Sequence, residues 1–204
     1  MRDDGLGRRS LLGFAGGLMV APTGVLASTT RPKVAIHTNH GTITVALAMD
    51  RAPITGANFL RYVDVAAYDG GQFYRAAKTP GYPGEGQIVG EANRKNHPFP
   101  GIEHESTTKT GLRHVTGTIS LGRFQPGSAT SDFFICASDE PYLDAHPGAP
   151  GDNLGYAAFG SVVEGLEVVR KILSLPSNGK SPFKEQQGQW LKPPVPIFSM
   201  RRAG

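Results

Sequence analysis

Glycine and proline interrupt this sequence so often that its apolar segments are all short. The 204 residues include 27 glycines and 16 prolines, which end helices and favour turns. This content is still below the level typical of low-complexity, disordered chains. Because 39% of the residues are hydrophobic and 19% are charged, the chain has enough apolar material for one core. The pattern favours many short strands joined by turns over a helix bundle.

The clearest local pattern is a β-hairpin near the start of the apolar sequence. Residues 33–38 and 42–47 place Val and Ile at alternating positions, and the Asn-His-Gly sequence between them suits a turn. Further strands are predicted at residues 71–75, 87–90, 157–163 and 195–200 and from Thr118 and Phe133, with helices at 53–65 and 166–173. Two helices among many short strands fit an antiparallel barrel capped at its ends, although periodicity alone equally allows a sandwich.

The first 27 residues have the organisation of a secretory signal peptide. Arg8 and Arg9 precede a short apolar stretch at residues 11–20, and residues 25–27 provide a small-residue cleavage signal. The paired arginines resemble a twin-arginine signal, and the Sec route is the alternative. The apolar stretch is too short and too rich in glycine to serve as a stable membrane anchor. We therefore expect an exported, periplasmic protein whose mature domain covers residues 28–204.

Charge and composition argue against several classes of partner. The net charge is +4, but the basic residues are scattered and do not alternate with stacking aromatics, so no nucleic-acid site is expected. The six histidines lack metal-ligand spacing, and the glycines at 81–90 do not form a phosphate loop, so neither a metal nor a cofactor is expected. Cys136 is the one cysteine, and its apolar neighbours indicate a small buried hydrophobe.

Two segments carry a family resemblance. Residues 118–137 run from a short apolar strand through a loop of small and polar residues to paired phenylalanines, and residues 70–75 end an aromatic segment with an arginine. Together they resemble the cyclophilin family of peptidyl-prolyl cis-trans isomerases, over roughly residues 33–200. The resemblance implies a mainly β fold, a closed antiparallel cyclophilin-like β-barrel capped by two α-helices. It also implies a cofactor-independent enzyme, expected to be monomeric, that acts on proline-containing polypeptides.

The resemblance also assigns roles to three residues. Arg75 matches the catalytic arginine, which donates a hydrogen bond to the prolyl nitrogen, although an arginine here could instead simply end a strand. Phe134 matches the floor of the proline pocket, and since strand residues alternate, Phe133 and Phe134 are expected on opposite faces. Leu143 matches an apolar wall of the pocket and is equally compatible with a core position.

At several positions the sequence departs from the family pattern. Asp132 stands where cyclophilins typically carry glutamine, Tyr142 where many carry tryptophan, and Tyr156 where a histidine lines the pocket. The Ala-Asn pair that holds the substrate backbone is replaced by Gly122 and Arg123. All five residues are predicted to bind substrate.

After Arg75 the family pattern has an aromatic residue and then a glutamine followed by two glycines. Tyr82 and Gln87 are the candidates for these roles. A different alignment of the strand at 87–90 places Gly90 at the glutamine position, and the sequence leaves both alignments open.

Three functions remain in competition at this point. The leading one is a peptidyl-prolyl isomerase that accelerates X-Pro isomerisation in exported folding proteins. A catalytically weak, cyclophilin-like module that binds proline peptides is the alternative, favoured by Asp132, Tyr156 and the ambiguity at Gln87. A structural barrel that binds partners through residues 91–111 or 145–155 is the third, and retention of both Arg75 and Phe134 argues against it.

Overall fold

The barrel begins with the predicted hairpin, β1 (Lys33–Thr38) and β2 (Gly41–Leu47). The computed structural model describes residues 31–93, 95 and 99–204, so the signal peptide predicted at residues 1–27 lies outside the described residues. The two strands pair antiparallel from Lys33 opposite Ala46 to Thr38 opposite Gly41. The hairpin prediction is confirmed.

Six further strands complete the sheet. They are β3 (Gly71–Lys78), β4 (Gly86–Glu91), β5 (Thr118–Leu121), β6 (Phe133–Cys136), β7 (Ala157–Glu164) and β8 (Trp190–Ala203). Around the barrel their order is β1-β2-β7-β5-β6-β4-β3-β8, and β8 pairs with β1. Every pairing is antiparallel. The closed antiparallel barrel expected from the resemblance is confirmed, and the sandwich is wrong.

Within the part of the chain that the structure describes, three α-helices accompany the strands. The two predicted helices are α1 (Pro53–Asp64) and α3 (Leu166–Ser174), and the third, α2 (Thr107–Thr110), is a single turn where no helix was predicted. In α1, Pro53 stands in the first turn, where a missing N–H costs nothing. No helix within the described residues is long and apolar enough to span a membrane.

Glu105 fixes the segment before α2 to the start of α1. Its buried carboxylate accepts hydrogen bonds from the backbone N–H groups of Ile54 and Thr55, at 3.3 and 2.8 Å, and from the Thr55 hydroxyl at 2.7 Å. A carboxylate stabilises the partial positive charge at a helix N-terminus, so the long excursion between β4 and β5 is attached to the barrel at this point.

Apolar residues divide between the barrel core and a smaller outer cluster. In the core, the rings of Phe59, Tyr68 and Phe73 surround Phe133 at centroid distances of 5.5–5.8 Å. The outer cluster consists of four buried residues, with Tyr74 and Tyr156 packed against it. These four are Val89, Phe134, Cys136 and Leu143. The outer cluster forms the base of the surface described next.

Candidate active site

A groove of about 410 Å³ opens on the side of β3, β4 and β6 that faces away from the core. Loops on both sides of these strands deepen it. Seven of the ten residues predicted for a site line this groove, and they are Arg75, Gln87, Gly122, Arg123, Asp132, Phe134 and Tyr156. The fold therefore brings these seven positions to one groove, although they are spread from residue 75 to residue 156 of the chain.

Phe134 forms the floor of the groove. Its neighbour Phe133 is fully buried in the core, whereas Phe134, at 4% exposure, belongs to the outer cluster and lines the groove. The rings of Phe134 and Tyr156 are perpendicular, with centroids 5.4 Å apart and an interplanar angle of 90°. Strand alternation thus gives these two adjacent rings separate environments.

Arg75 projects from β3 into the same groove and is half-buried. Its Nε donates a hydrogen bond to the Oε1 of Gln189 at 2.7 Å. Burial lowers the pKa of Arg75, and the neighbouring Tyr74, Tyr156 and Tyr142 oppose that shift. Because a guanidinium remains charged over the whole working range of pH, the groove contains a permanent, directed hydrogen-bond donor.

The pairing of β4 with its neighbours decides which of its residues face the groove. Val89 lies opposite both Arg75 on β3 and Phe134 on β6, and it lines the groove. Gln87, two residues earlier on the same face, also lines it and is 7% exposed. Gly90 faces the core instead, where a Cβ would lie 2.7 Å from the Phe133 ring. Of the two candidates for the glutamine position, Gln87 therefore faces the groove and Gly90 does not.

Arg123 stabilises the loop at the end of the groove. Only 5% of its side chain is exposed. Nε and Nη2 donate to the carbonyl oxygen of Gly155, at 3.0 and 2.6 Å, and both terminal nitrogens bind the Asp152 carboxylate. The guanidinium also lies 5.5 Å from the centroid of the Tyr156 ring. Its polar atoms thus hold residues 145–155 against the barrel.

Gly122 and Asp132 close the loop that carries Arg123. The N–H of Gly122 donates to the backbone carbonyl of Asp132 at 2.7 Å, which joins the end of β5 to the start of β6. Both residues line the groove. This main-chain hydrogen bond therefore holds the two ends of the loop between β5 and β6 together.

Three predicted residues do not line the groove. Leu143 is buried behind the floor, as a member of the outer cluster. Tyr142, 65% exposed, borders a neighbouring cavity of about 260 Å³, and its hydroxyl donates to Glu140. Tyr82, 61% exposed, lies in the turn between β3 and β4. The structure does not bring Tyr82 to the groove, because the residues after β3 form their own turn away from it.

Sequence reasoning missed His114, which lies beneath the groove floor. Its ring stacks on Phe134, with centroids 5.7 Å apart and planes 19° apart. Nδ1 is 2.7 Å from an Asp144 oxygen and Nε2 is 3.0 Å from the Ser120 hydroxyl, and all three residues are buried. Burial lowers the pKa of His114, which leaves it neutral at pH 7. An isolated histidine outside any motif gives no sequence signal for such a role.

The segment between α3 and β8 also lines the groove. Phe183 from this segment and Trp190, the first residue of β8, face the groove, as does Phe124 from the loop after β5. The rings of Phe124 and Phe183 lie 6.3 Å apart. We refer to this pair as the aromatic rim. It adds apolar surface above a floor that is already aromatic.

The described residues offer little for metal or nucleophilic chemistry. Among residues 31–93, 95 and 99–204, no three His, Cys, Asp or Glu side chains form a group able to hold a metal ion. Burial strongly raises the pKa of the Cys136 thiol, with further contributions from Glu140 and Asp144. The thiol stays protonated at neutral pH and packs as a small apolar group, whereas only the thiolate is a strong nucleophile.

Comparison with known proteins agrees with this geometry. The family model for cyclophilin type peptidyl-prolyl cis-trans isomerase/CLD matches residues 33–201. The chain is 35% identical over 159 residues to peptidyl-prolyl cis-trans isomerase A of Dickeya dadantii, covering 78% of this chain and 80% of that protein. For peptidyl-prolyl cis-trans isomerase B of Escherichia coli the identity is 34% over 140 residues, or 68% and 82% of the two chains.

A solved structure is similar in fold. The cyclophilin type peptidyl-prolyl cis-trans isomerase of Cryptosporidium parvum superposes with a TM-score of 0.64 at 20% sequence identity, covering 85% of this chain and 98% of that one. The barrel and its strand order are therefore those of a known architecture.

Proposed function

The chain belongs to the cyclophilin-type peptidyl-prolyl cis-trans isomerases and is an enzyme of that class, and within that activity we propose how its groove works and where it acts. The groove holds an X-Pro peptide with the proline ring on Phe134 and the prolyl nitrogen beside Arg75. One observation carries this assignment: the fixed donor and the aromatic floor line the same groove.

The reaction needs a donor more than it needs a nucleophile. Rotation about an amide bond has a barrier of ~18–20 kcal/mol because it breaks the resonance between nitrogen and carbonyl. As the bond twists, the prolyl nitrogen regains its lone pair and accepts a hydrogen bond that the planar amide does not accept. A guanidinium aimed at that nitrogen binds the twisted state more tightly than the planar one, which lowers the barrier.

Gln87 is the second polar contact we assign to the substrate. Its Oε1 is buried and has no hydrogen-bond partner among the described residues. A buried acceptor without a partner costs roughly 1–3 kcal/mol. A backbone N–H of a peptide lying in the groove removes that cost, so Gln87 contributes to binding and to the alignment of the chain beside the proline.

The predicted signal peptide supports an exported enzyme whose substrates are folding polypeptides outside the cytoplasm. Uncatalysed X-Pro isomerisation takes tens to hundreds of seconds, so newly exported chains benefit from a catalyst. Replacing Arg8 and Arg9 together with lysine tests the twin-arginine route. Retention of the precursor in the cytoplasm supports that route, and normal appearance in the periplasm favours Sec.

The assignment of Arg75 is tested by a protease-coupled isomerisation assay of the parent protein and Arg75→Ala. Removing one positioned donor is expected to lower kcat/KM by about 10²–10³-fold. Arg170→Ala, which removes an exposed arginine of α3, is the matched control and should leave the rate unchanged. An Arg75→Ala enzyme with full activity refutes the assignment, and a parent protein that binds proline peptides without accelerating isomerisation leaves only a binding module.

A further inference from the structure

The Arg75 guanidinium is held in place by a residue far away in the sequence. Among the described residues, its side-chain hydrogen-bond partner is Gln189, 114 positions along the chain, with Nε donating to Oε1 at 2.7 Å. Val89, which lies opposite Arg75 on β4, provides no polar group. The side-chain amide that binds the Arg75 guanidinium therefore belongs to the residue immediately before β8.

Gln189 is itself firmly anchored. The N–H of Ala76, next to Arg75, donates to the Gln189 carbonyl at 2.8 Å. The following residue, Trp190, lies opposite Arg75 in the pairing of β3 with β8 and packs on Tyr74 at 5.0 Å. Gly188 has a φ of +78°, a conformation that suits glycine and turns the chain into this pairing. The backbone of Gln189 is thus held beside Arg75, and the Gln189 side chain extends from this fixed position.

Engagement of Nε has a specific consequence for a guanidinium. The group is planar and rigid, so fixing Nε fixes the directions of Nη1 and Nη2 as well. A neutral amide does this without cancelling the positive charge, whereas a carboxylate partner would weaken the donors toward the substrate. The arrangement orients the two terminal nitrogens while it preserves their charge.

We propose that Gln189 is a positioning residue for the isomerisation, and that it acts by orienting the Arg75 guanidinium toward the prolyl nitrogen. The proposal rests on the role proposed above for Arg75. Because orientation is needed most in the twisted state, loss of Gln189 lowers kcat more than it raises KM.

The first test compares Gln189→Leu with Gln187→Leu. Leucine at 189 removes the acceptor and is expected to lower kcat about tenfold with KM within about twofold. Gln187 stands on the same segment and binds the carbonyls of Ser181 and Phe183, so Gln187→Leu loosens the segment without touching Arg75 and should keep most of kcat. Equal losses in the two variants overturn the proposal.

Two further readouts separate orientation from general damage. In the Arg75→Ala background, Gln189→Leu should cause no further loss of kcat, because there is no guanidinium left to orient. By NMR, exchange of the Arg75 Nε–H with water should be slow in the parent, fast in Gln189→Leu, and slow again in Gln189→Glu, which retains an acceptor. Full kcat in Gln189→Leu, in an enzyme that Arg75→Ala inactivates, refutes the role of Gln189 and leaves that of Arg75 intact.

Discussion

The two adjacent phenylalanines of β6 allow the groove and the core to be perturbed separately. Phe133 meets the rings of Phe59, Tyr68 and Phe73 at 5.5–5.8 Å, whereas Phe134 meets His114 and Tyr156 at 5.7 and 5.4 Å. Such ring pairs contribute about 0.5–1.5 kcal/mol each. We therefore expect Phe133→Leu to lower the free energy of unfolding by about 2–3 kcal/mol and Phe134→Leu by about 1–2 kcal/mol.

The losses of catalytic activity should follow the opposite order to the losses of stability. In a domain of this size each kcal/mol shifts Tm by about 2–4 °C, so Phe133→Leu should melt about 4–12 °C lower. An apolar pocket discriminates by about 1–3 kcal/mol for a small change of shape, so Phe134→Leu should lose at least about tenfold in kcat/KM. At 10 °C, where both variants remain folded, Phe133→Leu should stay within about twofold of the parent. An equal loss of activity in Phe133→Leu refutes the separation of floor and core.

Three further predictions concern the surroundings of the groove. Burial lowers the pKa values of His104 and His114, so the unfolded chain takes up protons first as the pH falls. The free energy of unfolding then has its full value above the histidine pKa of the unfolded chain, about 6.5, and it declines as the pH falls below that value. Urea unfolding at pH 7.5 and 5.0 measures this decline, which should be smaller in His114→Gln, and an unchanged decline would contradict the contribution of His114. Arg123→Ala leaves the Gly155 carbonyl without its side-chain donors. We therefore expect faster hydrogen exchange across residues 145–155, and exchange in the rest of the domain serves as the control. Replacing Phe183 of the aromatic rim with alanine should raise KM several-fold for peptides with an aromatic residue next to the proline and little for those with glycine. A uniform rise would argue against a subsite there.

The sequence alone predicted most of the strands, because their positions depend on local features of the chain. In the first hairpin, alternating β-branched residues and the turn between them determine both strands and their pairing. Periodicity did not distinguish a barrel from a sandwich, because both bury every second residue of each strand. Closure depends on β8 pairing with β1, between segments about 160 residues apart, and only the family resemblance predicted it.

The site was predictable where its residues follow strand alternation and obscure where they depend on distant contacts. Strand alternation placed Phe133 and Phe134 on opposite faces, and the family resemblance indicated that Phe134 is the one in the pocket. The register of β4 did not follow, because a bulge between Phe73 and Arg75 shifts the pairing that decides which residue faces the arginine. His114 and Gln189 gave no signal, since each acquires its role only through a partner brought close by the fold.

Four of the five departures from the family pattern line the groove, and Tyr142 lies outside it. Arg123 uses its polar atoms to hold a loop, and the ring of Tyr156 packs perpendicular to that of Phe134. Contacts of this kind bind planar and twisted peptides about equally, so altering them changes KM and substrate choice more than kcat. In the mechanism proposed above, Arg75 distinguishes the two states because only the twisted nitrogen accepts its hydrogen bond. Substitutions at the walls therefore favour altered selectivity over lost turnover, provided that the orientation of the Arg75 guanidinium is maintained.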